Sequence, residues 1–163
     1  MRCRRPSRSR SCYRPDAEMT TYAALPIRLL VGYGFLAHGL SKLHRGPAAF
    51  SAILQDIGVP SPHVMAWLTI ATEILSGLAI LIGAFVSLVS IPAILVLAVA
   101  VLTVHLPYGF STIKLLSVSN GRAQFGPPGY ECNLLYITCL VTLALIGPTF
   151  WSIDSYRSRA LFK

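Results

Sequence analysis

The sequence predicts an all-α integral membrane protein, a bundle of four transmembrane helices, and three observations carry that prediction. Of its 163 residues, 54% are hydrophobic and only 12% charged, where a soluble domain averages roughly 25% charged. The apolar residues gather into four stretches, each close to the ~20 residues that carry a helix across a bilayer. The basic residues mostly stay out of those stretches and crowd the chain ends, a distribution that orients membrane helices.

Residues 1–21 read as a disordered basic tail. Six of the fourteen basic residues (Arg2, Arg4, Arg5, Arg8, Arg10 and Arg14) lie there among serines with no apolar period, so the segment buries too little surface to fold alone. A twin-arginine signal lacks its proper flank, and a cleavable signal peptide does not tolerate Arg28 in its apolar core. Met19 opens a run, Met19-Thr20-Thr21-Tyr22, that leads straight into the first span, so the tail also reads as an over-extended start with Met19 as the alternative. The net charge of +8 does not point to nucleic acid, because the arginines come without the interleaved aromatics that stack on bases.

The membrane domain is expected over residues 22–154. Its first span runs from Tyr22 to Leu43, with Pro26 in the first turn and Arg28 near enough to the end to snorkel. The segment Gly46–Pro62 breaks that helix, and Gly58-Val59-Pro60-Ser61-Pro62 reads as a turn before the next. A second span covers Val64–Phe85 and a third Leu88–Leu106, with so little chain between them that they form a tight antiparallel hairpin. A polar loop bearing glycine and proline, Pro107–Tyr130, precedes the fourth span, Asn133–Phe150. Trp151 follows as an interfacial aromatic, and residues 155–163 form a tail that carries Arg157, Arg159 and Lys163. The loops after the first and third spans hold only Lys42, Arg45, Lys114 and Arg122, so both termini are expected in the cytoplasm.

Within the apolar stretch from Val64 to Leu106, Glu73 is the only formally charged residue. An ionisable group inside a span is costly enough that it needs a partner or a function. At 100° per residue, Arg28, Gly32, Phe35, His38, Gly39 and Lys42 share one face of the first helix, opposite Leu29, Leu30, Tyr33, Ala37 and Leu40. Thr69, Ser76, Gly77 and Ala84 surround Glu73 on the second helix, where small residues allow close approach. On the fourth, Glu131, Thr138 and Thr142 form a stripe expected to turn inward. Because consecutive spans alternate in direction, His38, Lys42, Glu73, His105 and Glu131 all fall in one half of the bilayer, while Arg28 and Asp154 mark the opposite rim. The expected partner of Glu73 is His38 or Lys42.

Structural readings stand beside these. Glu73 serves equally as a packing lock, Lys42 as a snorkelling cation, and Glu131 as a cap on the helix dipole. His38 and His105 lack the His-x-x-His or Glu-x-x-His spacing of a metal or haem site, so no metal is expected. Cys3, Cys12, Cys132 and Cys139 include no C-x-x-C pair, which removes the main support for dithiol chemistry.

The run Arg28-Leu-Leu-Val-Gly32-Tyr-Gly-Phe35-Leu-Ala-His38-Gly39-Leu-Ser-Lys42-Leu43 resembles the opening signature of the DoxX family of small four-helix membrane proteins. Gly58-Val59-Pro60, Glu73 with Gly77, Gly109-Phe110 and Gly129-Tyr130-Glu131 resemble later parts of the same pattern, so the likeness extends from Arg28 to Asp154. It implies a four-helix bundle in the bacterial inner membrane. It also implies an association with quinone-linked oxidation through a partner redox enzyme.

Three functions remain open on the sequence. The first is a redox-linked membrane subunit that binds a quinone or quinol, with Glu73 as proton acceptor and His38 as headgroup partner in the catalytic roles. Arg28, Lys42, His105 and Glu131 would then serve in ligand binding or in the buried polar network. No electron carrier is encoded, so a soluble or membrane oxidoreductase is the expected partner. The second is a non-catalytic scaffold or assembly factor. The third is a small proton-coupled transporter, for which a homo-oligomer would supply the repeat that four spans lack.

Overall fold

The computed structural model describes residues 15–119 and 121–156. The basic runs expected in residues 1–14 and 157–163 lie outside the described residues. Helix α1, Pro15–Arg45, begins ahead of the expected first span, so residues 15–21 are helix and not tail. A proline at a helix's first position has its φ already set and gives up only an N–H that has no helical partner there. Pro26, expected in the first turn, consequently lies in the helix interior.

The segment read as a break contains a helix, α2, Pro47–Asp56. Gly46 ends α1, Pro47 starts α2, and Phe50, Ile53, Leu54 and Ile57 recur at helical spacing, which gives α2 one apolar side. Helix α3, Pro62–Ile82, and helix α4, Val86–Ala100, follow and are joined by the tight connection the sequence predicts. The α4 axis continues through a π turn, Val101–His105, and a 3-10 turn, Leu106–Tyr108. The polar loop then folds into an antiparallel hairpin, β1 Leu115–Ser119 with β2 Arg122–Phe125, which pairs Val118 with Ala123 and Ser119 with Arg122. Helix α5 spans Glu131–Ile146. It stops short of the expected Phe150 because Gly147 takes φ 78° and Pro148 has no N–H to continue the ladder.

Tyr22–Arg45, Pro62–Ile82 and Val86–Tyr108 are each long and apolar enough to cross a membrane, with mean hydropathies of 1.3, 1.9 and 2.6. Helix α5 has 16 residues, about 24 Å at 1.5 Å per residue, so the bundle comprises three long spans and one shorter apolar helix. Its core gathers Ala24, Val31 and Phe35 of α1, Ile80 of α3, Val86 and Ala93 of α4, and Leu140 and Leu143 of α5. Leu30, Leu75, Leu88, Ile91, Leu102 and Leu145 are exposed, the outward leucine and isoleucine surface that hydrocarbon solvates.

Helices α1 and α3 make the most extensive contact in the bundle, and small residues make it possible. A Cβ on Gly77 would fall 2.6 Å from the Leu36 amide nitrogen and 2.9 Å from the Gly32 carbonyl oxygen. The two backbones touch there, as small-residue faces permit in membranes.

Candidate functional site

The polar face of α1 turns inward as its periodicity predicts. Arg28, Gly32, Phe35 and Gly39 are buried and Lys42 is half-buried, but His38, expected on the same face, is exposed, as are Leu29, Leu30, Tyr33, Ala37 and Leu40 of the opposite face. Opposite, α3 buries Glu73, Ser76 and Gly77. The close approach of the two helices brings Lys42 to Glu73, and the Lys42 ammonium donates to Glu73 Oε1. The Glu73 side chain is 7% exposed and that of Lys42 27%, so a carboxylate buried in the bundle faces a partly exposed cation. Lys42 Nζ also stands 5.0 Å from the centre of the Phe50 ring, a cation–π contact that ties α2 to the pair.

Glu73 has a second oxygen. Oε2 is buried and has no hydrogen-bond partner among the described residues. A buried acceptor without a donor is costly and calls for an explanation. Glu73 and Lys42 lie in the wall of a half-open cavity of about 710 Å³ lined by α1, α2, α3, α4 with its π turn, and the start of α5, where Leu68 and Leu95 remain largely exposed. That volume falls within the range of small-molecule sites. The wall is mainly aliphatic, from Leu54, Leu68, Leu95 and Val96, with His38, Thr72, His105 and Asn133 among its few polar groups. An apolar chamber with a handful of convergent polar groups suits a lipid-soluble molecule with a polar head.

The remaining sequence-predicted residues divide. His38 lies in the cavity wall and makes no hydrogen bond to Glu73. His105 lies in the same wall and its Nδ1 donates to the Pro128 carbonyl over 3.0 Å, which leaves Nε2 as an acceptor. Its position at the end of the π turn fits the tendency of such turns to occur at functional sites. Glu131 stands apart from the cavity wall. Its Oε2 accepts from the Thr112 amide at 3.1 Å while the Cys132 amide donates to Thr112 Oγ1 at 3.2 Å, so the pair pins the loop before the hairpin onto the start of α5.

Arg28 does not snorkel. It is 2% exposed, and its guanidinium donates to Thr149 Oγ1, to the Phe150 carbonyl at 3.2 Å and to the Trp151 carbonyl at 3.0 Å. The early end of α5 causes this: the chain past Gly147 folds back and supplies acceptors where α1 carries its cation. Asp154 belongs to the same rim, accepting from the Phe85 and Val86 amides at 2.9 and 3.1 Å and thereby capping α4 from far along the chain. The Glu131, Thr138, Thr142 stripe does not turn inward either. Thr138 and Thr142 return their hydroxyls to the carbonyls four residues back, and the buried face of α5 carries Leu140 and Leu143.

Phe50 and Tyr136 of the cavity wall went unflagged by the sequence. The signal for Phe50 was the helical spacing within the supposed break. Tyr136 is in step with Leu140 and Leu143, and so reads as an ordinary core position.

A family model described as DoxX matches residues 23–106, just over half of the chain, from α1 to the end of the π turn. The chain belongs to the DoxX family. The matched DoxX region contains Arg28, His38, Lys42, Glu73 and His105, and ends before Glu131. Over 132 residues the chain is 29% identical to "Putative oxidoreductase CatD" of Bacillus subtilis (strain 168), covering 81% of this chain and 84% of that protein. Over 141 residues it is 28% identical to "Uncharacterized membrane protein Rv3486" of Mycobacterium tuberculosis (strain ATCC 25618 / H37Rv), covering 82% and 80% respectively. No solved structure matches. Family membership and three membrane-length helices make this DoxX chain a membrane protein.

Proposed function

We propose that this DoxX-family chain is the quinone- or quinol-binding membrane subunit of an oxidoreductase system in the bacterial inner membrane, with its termini in the cytoplasm and its electrons exchanged through a partner protein. The unpartnered Oε2 of Glu73 in the wall of a mainly apolar cavity carries this reading. The oxidoreductase in the name of one relative, CatD, is in keeping with it.

A quinol, when bound, supplies two electrons and two protons. The chain's own groups fit its headgroup: Glu73 Oε2 is a free acceptor for a hydroxyl, and His38 offers a second hydrogen-bonding group from the same wall. Lys42 keeps Oε1 occupied, so the carboxylate presents one oxygen in a fixed direction. Glu73 then receives the proton of the hydroxyl bonded to Oε2, His38 receives that of the second hydroxyl, and the two electrons pass to the partner protein. The aliphatic wall lowers the polarity around the headgroup.

Purification in a mild detergent, followed by mass spectrometry of co-purifying proteins and lipid-soluble molecules, is expected to find a quinone and an oxidoreductase. Glu73→Gln is expected to weaken quinol binding at least about tenfold, since a hydrogen bond to a charged group contributes roughly 1.5–3 kcal/mol. A protein free of quinone, together with unchanged binding in Glu73→Gln, would overturn the reading. The link that Lys42–Glu73 makes between α1 and α3 favours a second reading, a non-catalytic scaffold. In that case Glu73→Gln lowers thermal stability while the partner still co-purifies and no quinol binds either form.

A further inference from the structure

A smaller groove of about 270 Å³ lies between α1 and α5, lined by Leu30, Val31, Cys132, Leu135, Tyr136 and Cys139, with no polar surface in its lining. Leu30 is 68% and Leu135 61% exposed, so the groove opens on the lipid-facing side of the bundle. Cys132 and Tyr136 also belong to the wall of the large cavity. The two spaces are therefore neighbours with a common partition, and Tyr136 is its largest part.

Gly34 is what seats that partition. A Cβ on Gly34 would fall 2.9 Å from both Cε1 and Cζ of Tyr136 and closer still to its hydroxyl, so the phenol occupies a notch that only glycine leaves open. The ring stands edge-on to Phe35 at 5.9 Å, and its hydroxyl makes no hydrogen bond among the described residues, so packing alone holds it.

Both helices give the groove the same direction. On α5 it continues from Cys132, at cavity level, to Cys139. On α1 it reaches Leu30 and Val31, whereas the cavity is lined at Phe35, His38 and Lys42. The groove passes the cavity lining by three residues on α5, from Tyr136 to Cys139, and by four on α1, from Phe35 to Val31, about 5–6 Å along the axis, directed away from Glu73 towards the rim that Arg28 marks.

We infer that this groove is the seat of the hydrocarbon chain of the molecule whose head occupies the cavity, so that the ligand is an amphiphile with a long apolar tail that enters and leaves past Tyr136 from the bilayer. The inference rests on the headgroup reading above. A tail gains no hydrophobic free energy by moving from lipid into an apolar groove. The groove's contribution is steric: it aligns the head with Glu73 and distinguishes tailed from tailless molecules.

The native cysteines report on the two spaces, because Cys139 lines only the groove whereas Cys132 lines both. In liposomes, with Cys3→Ser and Cys12→Ser to remove the other thiols, labelling by a membrane-permeant maleimide is followed at each site. Two quinols whose ring positions are fully substituted, and so add no thiol, are compared: duroquinol, which has no tail, and decylubiquinol. Decylubiquinol is expected to abolish labelling at both cysteines, and duroquinol at Cys132 alone. Leu135→Trp, which fills the groove from its lipid side, is expected to lose the protection of Cys132 by decylubiquinol while keeping that by duroquinol.

Protection of Cys132 by both quinols with Cys139 equally labelled overturns the inference and places the tail elsewhere, such as between Leu68 and Leu95. Labelling of Cys139 that is the same with and without decylubiquinol, at whatever level, also overturns it. Failure of either quinol to protect Cys132 overturns the headgroup reading, and this inference with it.

Discussion

Lys42 and Glu73 show what a carboxylate within a membrane bundle requires. The desolvation of Glu73 is offset by the Lys42 ammonium on Oε1, and Lys42 keeps part of its own solvation through its partial exposure. Removing one partner of a buried pair leaves an uncompensated charge, whereas replacing both with apolar groups of similar size is often neutral or stabilising. Lys42→Met is therefore expected to destabilise the bundle by about 1–3 kcal/mol, the upper figures being discounted for Lys42's exposure. Lys42→Met with Glu73→Leu is expected to recover most of that loss. Thermal unfolding in detergent measures both, and a double variant no more stable than the single would show that the pair is not the coupled unit. At this scale the sequence was readable for Glu73 and Lys42, because a lone charge in an apolar run demands a partner and helical alternation limits where it lies. It was not readable for Arg28, whose acceptors come from residues 149–151 and depend on where α5 stops.

The elements were legible where periodicity or composition dominated and obscure where a short motif decided. Helices α1, α3 and α4 announce themselves by apolar length. Helix α2 was hidden because Gly46 and Pro60 read as breakers, although ten residues of helix fit between them. The hairpin was hidden in a loop judged by its polar and glycine content, although Asn120-Gly121 between Leu115–Ser119 and Arg122–Phe125 is a strong hairpin turn signal. Contact between α1 and α3 is the element-level feature on which the site depends, since it sets the distance from Lys42 to Glu73. A side chain at Gly77 has no room: even the Cβ would lie 3.0 Å from the Leu36 Cα and nearer to its nitrogen. Gly77→Val is expected to push the helices apart, to cost about 1–3 kcal/mol as overpacking does, and to weaken the Lys42–Glu73 contact. Spin labels at the exposed positions 40 and 75, with the native cysteines replaced by serine, check the displacement beside the unfolding curve, as a longer inter-label distance when Gly77→Val is added. An unchanged melting temperature would mean that the interface yields without cost.

At the scale of the whole molecule the bundle has two unlike ends. One end is tied shut: Arg28 holds the turn after α5, Asp154 caps α4, and Tyr22 packs on Phe150 with ring centres 4.2 Å apart. The other end carries α2, the hairpin and the side of the cavity nearer Lys42 and His105. The described start of α1 and the last described residue, Tyr156, both belong to the tied end. In the proposed topology, the basic residues at both ends, Arg10 and Arg14 before α1 and Arg157 and Arg159 beyond Tyr156, put that side in the cytoplasm. Under that proposed topology the cavity would face the outer half of the bilayer, and a quinol oxidised there would release its protons on that side. A reporter fused after Lys163 tests the orientation: a fluorescent protein that matures only in the cytoplasm is expected to be bright, and alkaline phosphatase, which folds only outside, to be inactive. The reverse pattern would turn the bundle over, place the cavity in the inner leaflet, and direct the protons released at Glu73 into the cytoplasm.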